Sequence, residues 1–379
     1  MLLPKGFEVE MYTGTPAGEA VGFSDRIAAA LPGFVREPDR RNVEYTTAPI
    51  AAYDRLPCAL LQPRLQLRNF LPALGNYTVL PGSTLALGGS DRFERSDPGN
   101  PYHAYIEQTY GTTVVTASIH INIGIDDPDL LLQACRLLRM EAPLYLALSA
   151  SSPFLDGKVT RSHSQRWQVF PKTPRRVPLF RDLAHYVSWT EEQLAAGTMQ
   201  NVRHLWSAVR PNGPARPHDL NRVEIRICDL VGNPFDLLAI TAFVEARVWQ
   251  MLRHPEQFDP LRGVFTPDEL IEVSDRNEAA AARDSLDATL IHWQTGENIQ
   301  AAEWIERQYP DAWLTARSLG FSCFLSPLQS ILKSGNAAQQ WLEQVRQGAT
   351  VAEVYRAAIS ELERDERELL ATICPPVAA

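Results

Sequence analysis

Several short segments in the first 230 residues alternate apolar and polar side chains, which is the two-residue repeat of a β-strand with one face on a core. In the clearest of them, Val223, Ile225 and Ile227 alternate with other side chains, and we predict a strand over 222–229. Four more strands are predicted over 6–13, 42–47, 77–80 and 112–125. Their polar faces would meet either solvent or a cleft.

Helical spacing separates these strands and fills the last third of the chain. Asp127-Pro128 and Asn233-Pro234 each place a capping side chain before a proline, which predicts the start of a long apolar helix. After Thr266 every pattern is helical. Further helices are predicted over 24–31, 49–74 with interruptions at Pro57 and Pro63, 102–110 and 183–196. Strands in 1–230 and helices in 231–379 favour an α+β fold with an antiparallel or mixed sheet, in a single domain over 1–379.

The charge balance argues against one class of partner. With 36 Lys and Arg against 45 Asp and Glu, the net charge is −9, whereas a general nucleic-acid binder needs a basic surface that neutralises phosphates. No apolar run approaches the roughly 18 residues of a membrane helix, and the first residues lack the apolar core of a signal peptide. We therefore expect a soluble, cytoplasmic protein with no nucleic-acid or membrane partner.

The cysteines show no spacing typical of a zinc site. Their scatter through mostly apolar segments predicts reduced thiols in a cytosolic protein. The five are Cys58, Cys135, Cys228, Cys323 and Cys374.

The polar faces of the predicted strands carry groups that suit metal and phosphate chemistry. Carboxylates occur on three of these strands, at Glu8, Glu10, Glu44 and Glu224. Acids crowded on one sheet face repel one another unless cations neutralise them, and oxygen ligands suit Mg²⁺ or Mn²⁺. Arg226 lies on the same face as Glu224 and could stabilise charge on a transferred phosphoryl group. The alternative is a solvated sheet face, and the residues alone leave both interpretations open.

A P-loop, a dinucleotide-binding glycine motif, a zinc-protease motif and a hydrolase nucleophile motif are all missing from the sequence. His120 and Asn122 share the polar face of their strand, where a hydrogen-bonded structural histidine is the simpler interpretation. The loop over 149–178 is basic and would either be solvated or attract anionic substrates. Any phosphate chemistry here must therefore proceed without a P-loop.

Six motifs in order resemble the cyanobacterial-type glutamate–cysteine ligases, which belong to the carboxylate–amine ligases with a glutamine-synthetase-like fold. They are GFEVEMYTGTP, NVEYTTAP, SIHINIGIDDPD, LALSASSPFLDGK, RPHDLNRVEIRICDL and DRNEAAAARDSLDA. The resemblance implies a curved, mostly antiparallel sheet that forms an active-site funnel, with helices packed outside. It also implies a single catalytic domain that joins L-glutamate to L-cysteine with ATP, through γ-glutamyl phosphate, in the first step of glutathione synthesis.

The same resemblance implies roles for individual residues. Mg²⁺, or Mn²⁺, would be held by Glu8, Glu10, Glu44 and Glu224. His120 and Asn122 would lie near nucleotide and metal, although Asn122 stands where relatives carry a second histidine. Arg226 would face the transferred phosphoryl group, and together with Glu224 and Arg166 it forms the predicted catalytic set. Arg166 would bind the glutamate carboxylate, and Asn277 and Arg283 would line the substrate side.

Two other functions stay open at this stage. A ligase that joins glutamate to a different amine would share the metal and ATP residues and differ only in its acceptor pocket. A non-catalytic binding protein of the same fold is the other alternative, but it has no need for clustered carboxylates.

Overall fold

The computed structural model describes residues 2–374 of the chain, in which strands alternate with helices up to β9 and helices dominate afterwards. The strands are β1 (Lys5–Gly14), β2 (Phe34–Arg36), β3 (Asn42–Thr46), β4 (Thr78–Leu80), β5 (Ile119–Gly124), β6 (Phe154–Leu155), β7 (Lys158–Val159), β8 (Val209–Asn212), β9 (Arg222–Ile225), β10 (Thr289–Ile291) and β11 (Asn298–Gln300). The helices are α1 (Ser24–Ala30), α2 (Leu56–Phe70), α3 (Pro101–Tyr110), α4 (Pro128–Ser149), α5 (Gln165–Val169), α6 (Leu183–Ala195), α7 (Pro234–Arg253), α8 (Pro267–Asp284), α9 (Ala301–Leu319), α10 (Ser326–Ser334), α11 (Ala337–Arg346) and α12 (Val351–Ile373).

The main sheet has the strand order β2-β3-β1-β5-β9-β8, and β4 pairs with the end of β1 beyond β5. Each of these pairings is antiparallel. The predicted α+β class with an antiparallel sheet is therefore confirmed. No helix within residues 2–374 combines the length and the apolar character that crossing a membrane requires.

One face of the sheet packs on the helical layer. The apolar side chains of the alternating strands, such as Phe7, Ile121 and Ile225, are almost completely buried there. Helix α4 contacts β8 and β9 and also packs against α7 and α8. Burial of each such side chain stabilises the fold by about 1.5–3 kcal/mol.

The caps predicted for the two long helices are present. The Asp127 side chain accepts hydrogen bonds from the backbone N–H groups of Asp129 and Leu130, at the start of α4. The Asn233 side chain accepts from Phe235 N, at the start of α7. Both helices begin at the predicted proline, which lacks the N–H that a first-turn residue would leave unpaired.

Several predicted boundaries are wrong. The strand predicted over 112–125 is β5 alone, because 111–114 form a 3₁₀ helix instead. The helix predicted over 49–74 begins at Leu56 and continues through Pro63, and Pro57 lies in its first turn, where proline is tolerated. The strand predicted over 222–229 is hydrogen-bonded as a ladder only to Ile225.

Further strands contradict the sequence interpretation, among them β6 and β7, which pair inside the loop predicted over 149–178. β10 and β11 form a hairpin inside the region predicted to be only helical. β8, which contains Pro211, lies in a segment where no strand was predicted. It is nevertheless the last strand in the order of the main sheet, a position where a missing N–H costs no ladder hydrogen bond.

The prediction of five reduced thiols is wrong for two of them. Cys58, near the start of α2, forms a disulfide with Cys374, which follows α12. Cys135 and Cys228 are buried free thiols, and Cys323 is an exposed one.

Candidate active site

The strand register brings the polar side chains together on the sheet face opposite the helical layer. Glu10 of β1 pairs with Glu44 of β3, and Glu8 pairs with His120 of β5. Asn122 pairs with Glu224 of β9, which in turn pairs with Arg210 of β8. Cross-strand partners lie about 5 Å apart at their Cβ atoms. Five neighbouring strands therefore contribute to one continuous polar surface.

The first cluster on this surface consists of Glu8, His120 and Glu224, whose ligand atoms lie within 4.8 Å of one another. His120 Nδ1 is 2.8 Å from Glu8 Oε2 and 3.6 Å from Glu224 Oε1. Asn122 does not join the cluster directly. Its Nδ2 donates to Glu8 Oε1 at 3.2 Å, and its Oδ1 accepts from Arg222.

The second cluster consists of Glu10, Glu37 and Glu44, whose carboxylate oxygens also lie within 4.8 Å. Burial, followed by the charge of Glu10, raises the pKa of Glu37 to about 8. Burial and the charge of Glu37 raise the pKa of Glu44 well above its usual value. Three carboxylates so close together form a ligand set that suits a hard divalent cation such as Mg²⁺ or Mn²⁺.

Glu224 is fully buried, and its charge is compensated by direct partners. Arg210 donates to both carboxylate oxygens, at 2.8 and 3.0 Å, and Asn212 donates at 2.6 Å. Arg226 Nη1 donates to Oε1 at 2.6 Å. Burial would raise the pKa of Glu224, but the two guanidiniums outweigh burial and hold the pKa well below its usual range.

A cavity of about 480 Å³ lies over both clusters. Its wall combines the acids with five arginines: Arg36, Arg166, Arg203, Arg210 and Arg226. Clustered carboxylates beside guanidiniums can hold an anionic substrate together with its counter-cations. Burial lowers the pKa of Arg210 to about 10, and the guanidinium is therefore charged at neutral pH.

Arg166 lines this cavity from α5, where it is almost completely buried. Nη1 donates to Ile227 O at 3.0 Å, and Nη2 donates to Arg226 O at 2.9 Å. Arg166 therefore braces the main chain that carries Arg226, in addition to facing the cavity.

Asn277 and Arg283 are not brought to the cavity. Asn277 is buried in α8, where its amide exchanges two 2.8 Å hydrogen bonds with the backbone of Ile291 and fixes β10. Arg283 is largely exposed and pairs with Asp284. Helix α8 carries neither side chain to the polar face, and we assign neither of them a substrate contact.

Glu37, Arg210 and Asn212 were missed in the sequence. Glu37 follows β2 directly and precedes Pro38, a position that strand alternation does not mark. Arg210 and Asn212 do alternate with Val209 and Pro211, but the proline favoured a loop. A two-residue repeat that tolerated an edge proline would have found both.

Comparisons with known proteins bear on the fold and on the family. A glutamate–cysteine ligase from Francisella tularensis in complex with AMP shares the fold with a TM-score of 0.75 and 14% identity, over 100% of this chain and 96% of that one. A bifunctional glutathione synthetase from Pasteurella multocida shares it with a TM-score of 0.72 and 15% identity, over 98% of this chain and 53% of that one. This likeness shows a shared fold.

The family follows from sequence. The model of Glutamate-cysteine ligase family 2 (GCS2) matches residues 4–361. A putative glutamate–cysteine ligase 2 from Gloeobacter violaceus is 30% identical over 222 residues, which cover 58% of this chain and 57% of that relative. A putative glutamate–cysteine ligase 2-1 from Rubrobacter xylanophilus is 27% identical over 290 residues, or 73% of each chain. The chain belongs to glutamate–cysteine ligase family 2, as the sequence motifs predicted.

Proposed function

We propose that this protein joins the γ-carboxylate of L-glutamate to the amine of L-cysteine at the expense of ATP. One observation carries the proposal: two carboxylate clusters and Arg226 line a single cavity in a member of this ligase family. ATP is the expected co-substrate. The Francisella structure is a complex with AMP, which is consistent with nucleotide binding by a protein of this fold.

The reaction requires an activated carboxylate, because an amine does not displace an unactivated carboxylate oxygen. A γ-carboxylate oxygen of glutamate attacks the γ-phosphorus of ATP, which releases ADP and forms an acyl phosphate. The amine of cysteine then attacks the acyl carbon, and phosphate leaves. Catalysis consists of positioning and charge stabilisation, with no covalent enzyme intermediate.

The chain supplies both contributions from rigid strands. Glu8, His120 and Glu224 would hold one divalent cation, and the cluster of Glu10, Glu37 and Glu44 would hold another. Bound there, Mg²⁺ or Mn²⁺ would neutralise the phosphate oxygens of ATP.

Arg226 is held by Glu224, with a side chain only 11% exposed, and it presents its guanidinium to the cavity. Burial would lower the pKa of Arg226, but the charges of Glu224 and Glu8 outweigh burial and raise the pKa, so the group is always cationic. It is our candidate for stabilising charge on the phosphoryl group in transfer. Arg166, on the same wall, remains our candidate for the glutamate carboxylate.

An isotope experiment tests the intermediate directly. Glutamate labelled with ¹⁸O in its γ-carboxylate should transfer one ¹⁸O to phosphate during turnover with ATP, Mg²⁺ and cysteine. Phosphate without the label would contradict an acyl phosphate.

A competition experiment tests the acceptor. Phosphate release should require an amine, and it should be faster with cysteine than with alanine, serine or 2-aminobutyrate. Equal rates with all four would remove the cysteine assignment and favour a ligase for another amine.

A further inference from the structure

The hydroxyl of Ser118 connects the two carboxylate clusters. Ser118 lies at the approach to β5, is only 2% exposed and reaches the wall of the cavity. Its Oγ donates to Glu10 Oε2, in the second cluster, at 2.8 Å. The same oxygen is 3.1 Å from His120 Nε2, in the first cluster.

The direction of these hydrogen bonds follows from the atoms involved. A carboxylate oxygen can only accept, so the single hydroxyl proton of Ser118 points to Glu10. The oxygen then has only lone pairs left for His120, and Nε2 must carry the proton in that contact. In the metal-free site Nδ1 must also donate, because Glu8 Oε2 lies 2.8 Å away and can only accept. A cation bound at the first cluster would take the place of that Nδ1 proton, so that Nδ1 offers its lone pair while Nε2–H stays directed at Ser118.

Nδ1 faces the ligand positions of the first cluster. It lies 2.8 Å from Glu8 Oε2 and 3.6 Å from Glu224 Oε1. It is also 3.4 Å from Arg226 Nη1. Nε2 has no comparable access, since its neighbours are Ser118 and, at 3.7 Å, Glu10 Oε1.

From this arrangement we infer that Ser118 is a positioning residue that fixes the Nε2–H tautomer of His120 and joins the two metal clusters into one unit. The inference rests on the proposed function, because it concerns the same two cation sites. A hydrogen-bond partner on the second nitrogen of a metal-binding histidine orients the ring and sets its tautomer, and its loss typically weakens metal affinity 10- to 100-fold.

Main-chain contacts keep this hydroxyl in place. Ser118 O accepts a 2.9 Å hydrogen bond from Glu10 N, and Ser118 forms a β-bridge with Asp229. The backbone of residue 118 is thus fixed independently of its side chain. Removing the hydroxyl should change the hydrogen-bond network while the strands stay in register.

The test measures Mn²⁺ binding to the substrate-free protein by calorimetry and by electron paramagnetic resonance. We expect Ser118→Ala to weaken binding 10- to 100-fold at the first cluster and to weaken it at the second as well. Ser118→Thr, which keeps a hydroxyl, should bind within about 3-fold of wild type. Ser207→Ala is the matched control, because the Ser207 hydroxyl is equally buried but donates to Val209 O.

Two further measurements separate positioning from a general structural effect. Nitrogen NMR of histidine-labelled protein with Mg²⁺ should show the Nε2–H tautomer of His120 in wild type and its loss in Ser118→Ala. In a His120→Asn background, Ser118→Ala should no longer weaken the first cluster, because the effect passes through the imidazole.

The outcomes distinguish two kinds of failure. If wild type binds no Mn²⁺, the proposed cation sites are wrong and the proposed function loses its support. If wild type binds two ions and Ser118→Ala binds them equally well, the cation sites stand and the role of Ser118 is overturned. An unchanged His120 tautomer in Ser118→Ala would overturn it too.

Discussion

Two carboxylates of the site experience opposite electrostatic environments. Glu224 is surrounded by donors from Arg210, Asn212 and Arg226, which compensate its charge inside the protein. Glu44 instead shares its cluster with two other acids, and their repulsion is what a bound cation would relieve. Neutralising one or the other should therefore have opposite effects on stability, even though both should reduce activity.

Glu44→Gln should stabilise the metal-free protein and weaken its cation binding. The amide removes a repelled charge, and at pH 8 in EDTA we expect the free energy of unfolding to rise by on the order of 1 kcal/mol. The rise in Tm that Mn²⁺ gives wild type should shrink. Denaturant unfolding with and without Mn²⁺ measures both effects. Glu19→Gln, an exposed acid outside the cavity, is the control, and a destabilised Glu44→Gln would contradict the repulsion.

Glu224→Gln should destabilise the protein and abolish turnover. The amide leaves Arg210 and Arg226 without a charged partner at a fully buried position. Removing one partner of a buried ion pair costs about 3–5 kcal/mol, and we expect a smaller loss of stability here because the glutamine amide can still hydrogen-bond. Thermal unfolding and phosphate release measure the two effects. An unchanged Tm would show that the guanidiniums find other partners.

Strand alternation was sufficient to identify the acids on regular strands. Glu8, Glu10 and Glu44 were found because a two-residue repeat makes their common face visible in the sequence. Glu37 and Arg210 were missed for physical reasons. The Glu37 side chain lies beyond the end of β2. Arg210 lies in β8, a strand that contains proline and whose pairing cannot be read from its own sequence. The register between strands decides which side chains touch, and it cannot be read from any one segment of the sequence.

At the scale of elements, apolar periodicity predicted helix existence better than helix ends. The segment after α8 has helical spacing, but Asn277 binds both backbone groups of Ile291 and stabilises the β10 strand instead. Tertiary hydrogen bonds of this kind override local propensity. The resemblance to the ligase family implied that Asn277 lines the substrate side, whereas in the structure its amide holds the β10–β11 hairpin.

The first turn of α7 contains a carboxyl group with a raised pKa. Burial raises the pKa of Asp236 to about 6. Because the folded-state pKa exceeds the unfolded value, the resulting stability is fully present below about pH 4 and is lost as the pH rises through 6. Asp236→Asn should not suffer that loss, and it should be more stable than wild type at pH 8 by on the order of 1–2 kcal/mol.

Urea unfolding at pH 5 and pH 8 checks this sign. The advantage of Asp236→Asn should be clearly smaller at pH 5 than at pH 8. Asp129→Asn, an exposed acid in the first turn of α4, should show little change between the two pH values. A stabilisation independent of pH would show that packing of the amide, not ionisation, is responsible.

At the scale of the whole molecule, α12 returns to the first half of the chain. Arg64 of α2, which is fully buried, donates to Glu366 Oε1 at 3.1 Å, and Tyr355 donates to Pro81 O at 2.9 Å. The disulfide between Cys58 and Cys374 adds a covalent link at the end of the same helix. None of these contacts is visible as a pattern in the sequence, since the partners are separated by some 270 residues or more.

The disulfide should stabilise the protein by restricting the unfolded chain. Its cysteines are 316 residues apart, and the chain-entropy treatment gives about 6 kcal/mol for a loop of that length. Reduction with a phosphine should lower the Tm of wild type, while Cys58→Ser should already have the lower Tm and should not respond. Cys323→Ser, which removes a free thiol, should respond like wild type. Mass spectrometry of the denatured protein provides the independent check: alkylation without reduction should modify three cysteines, and modification of all five would contradict the disulfide.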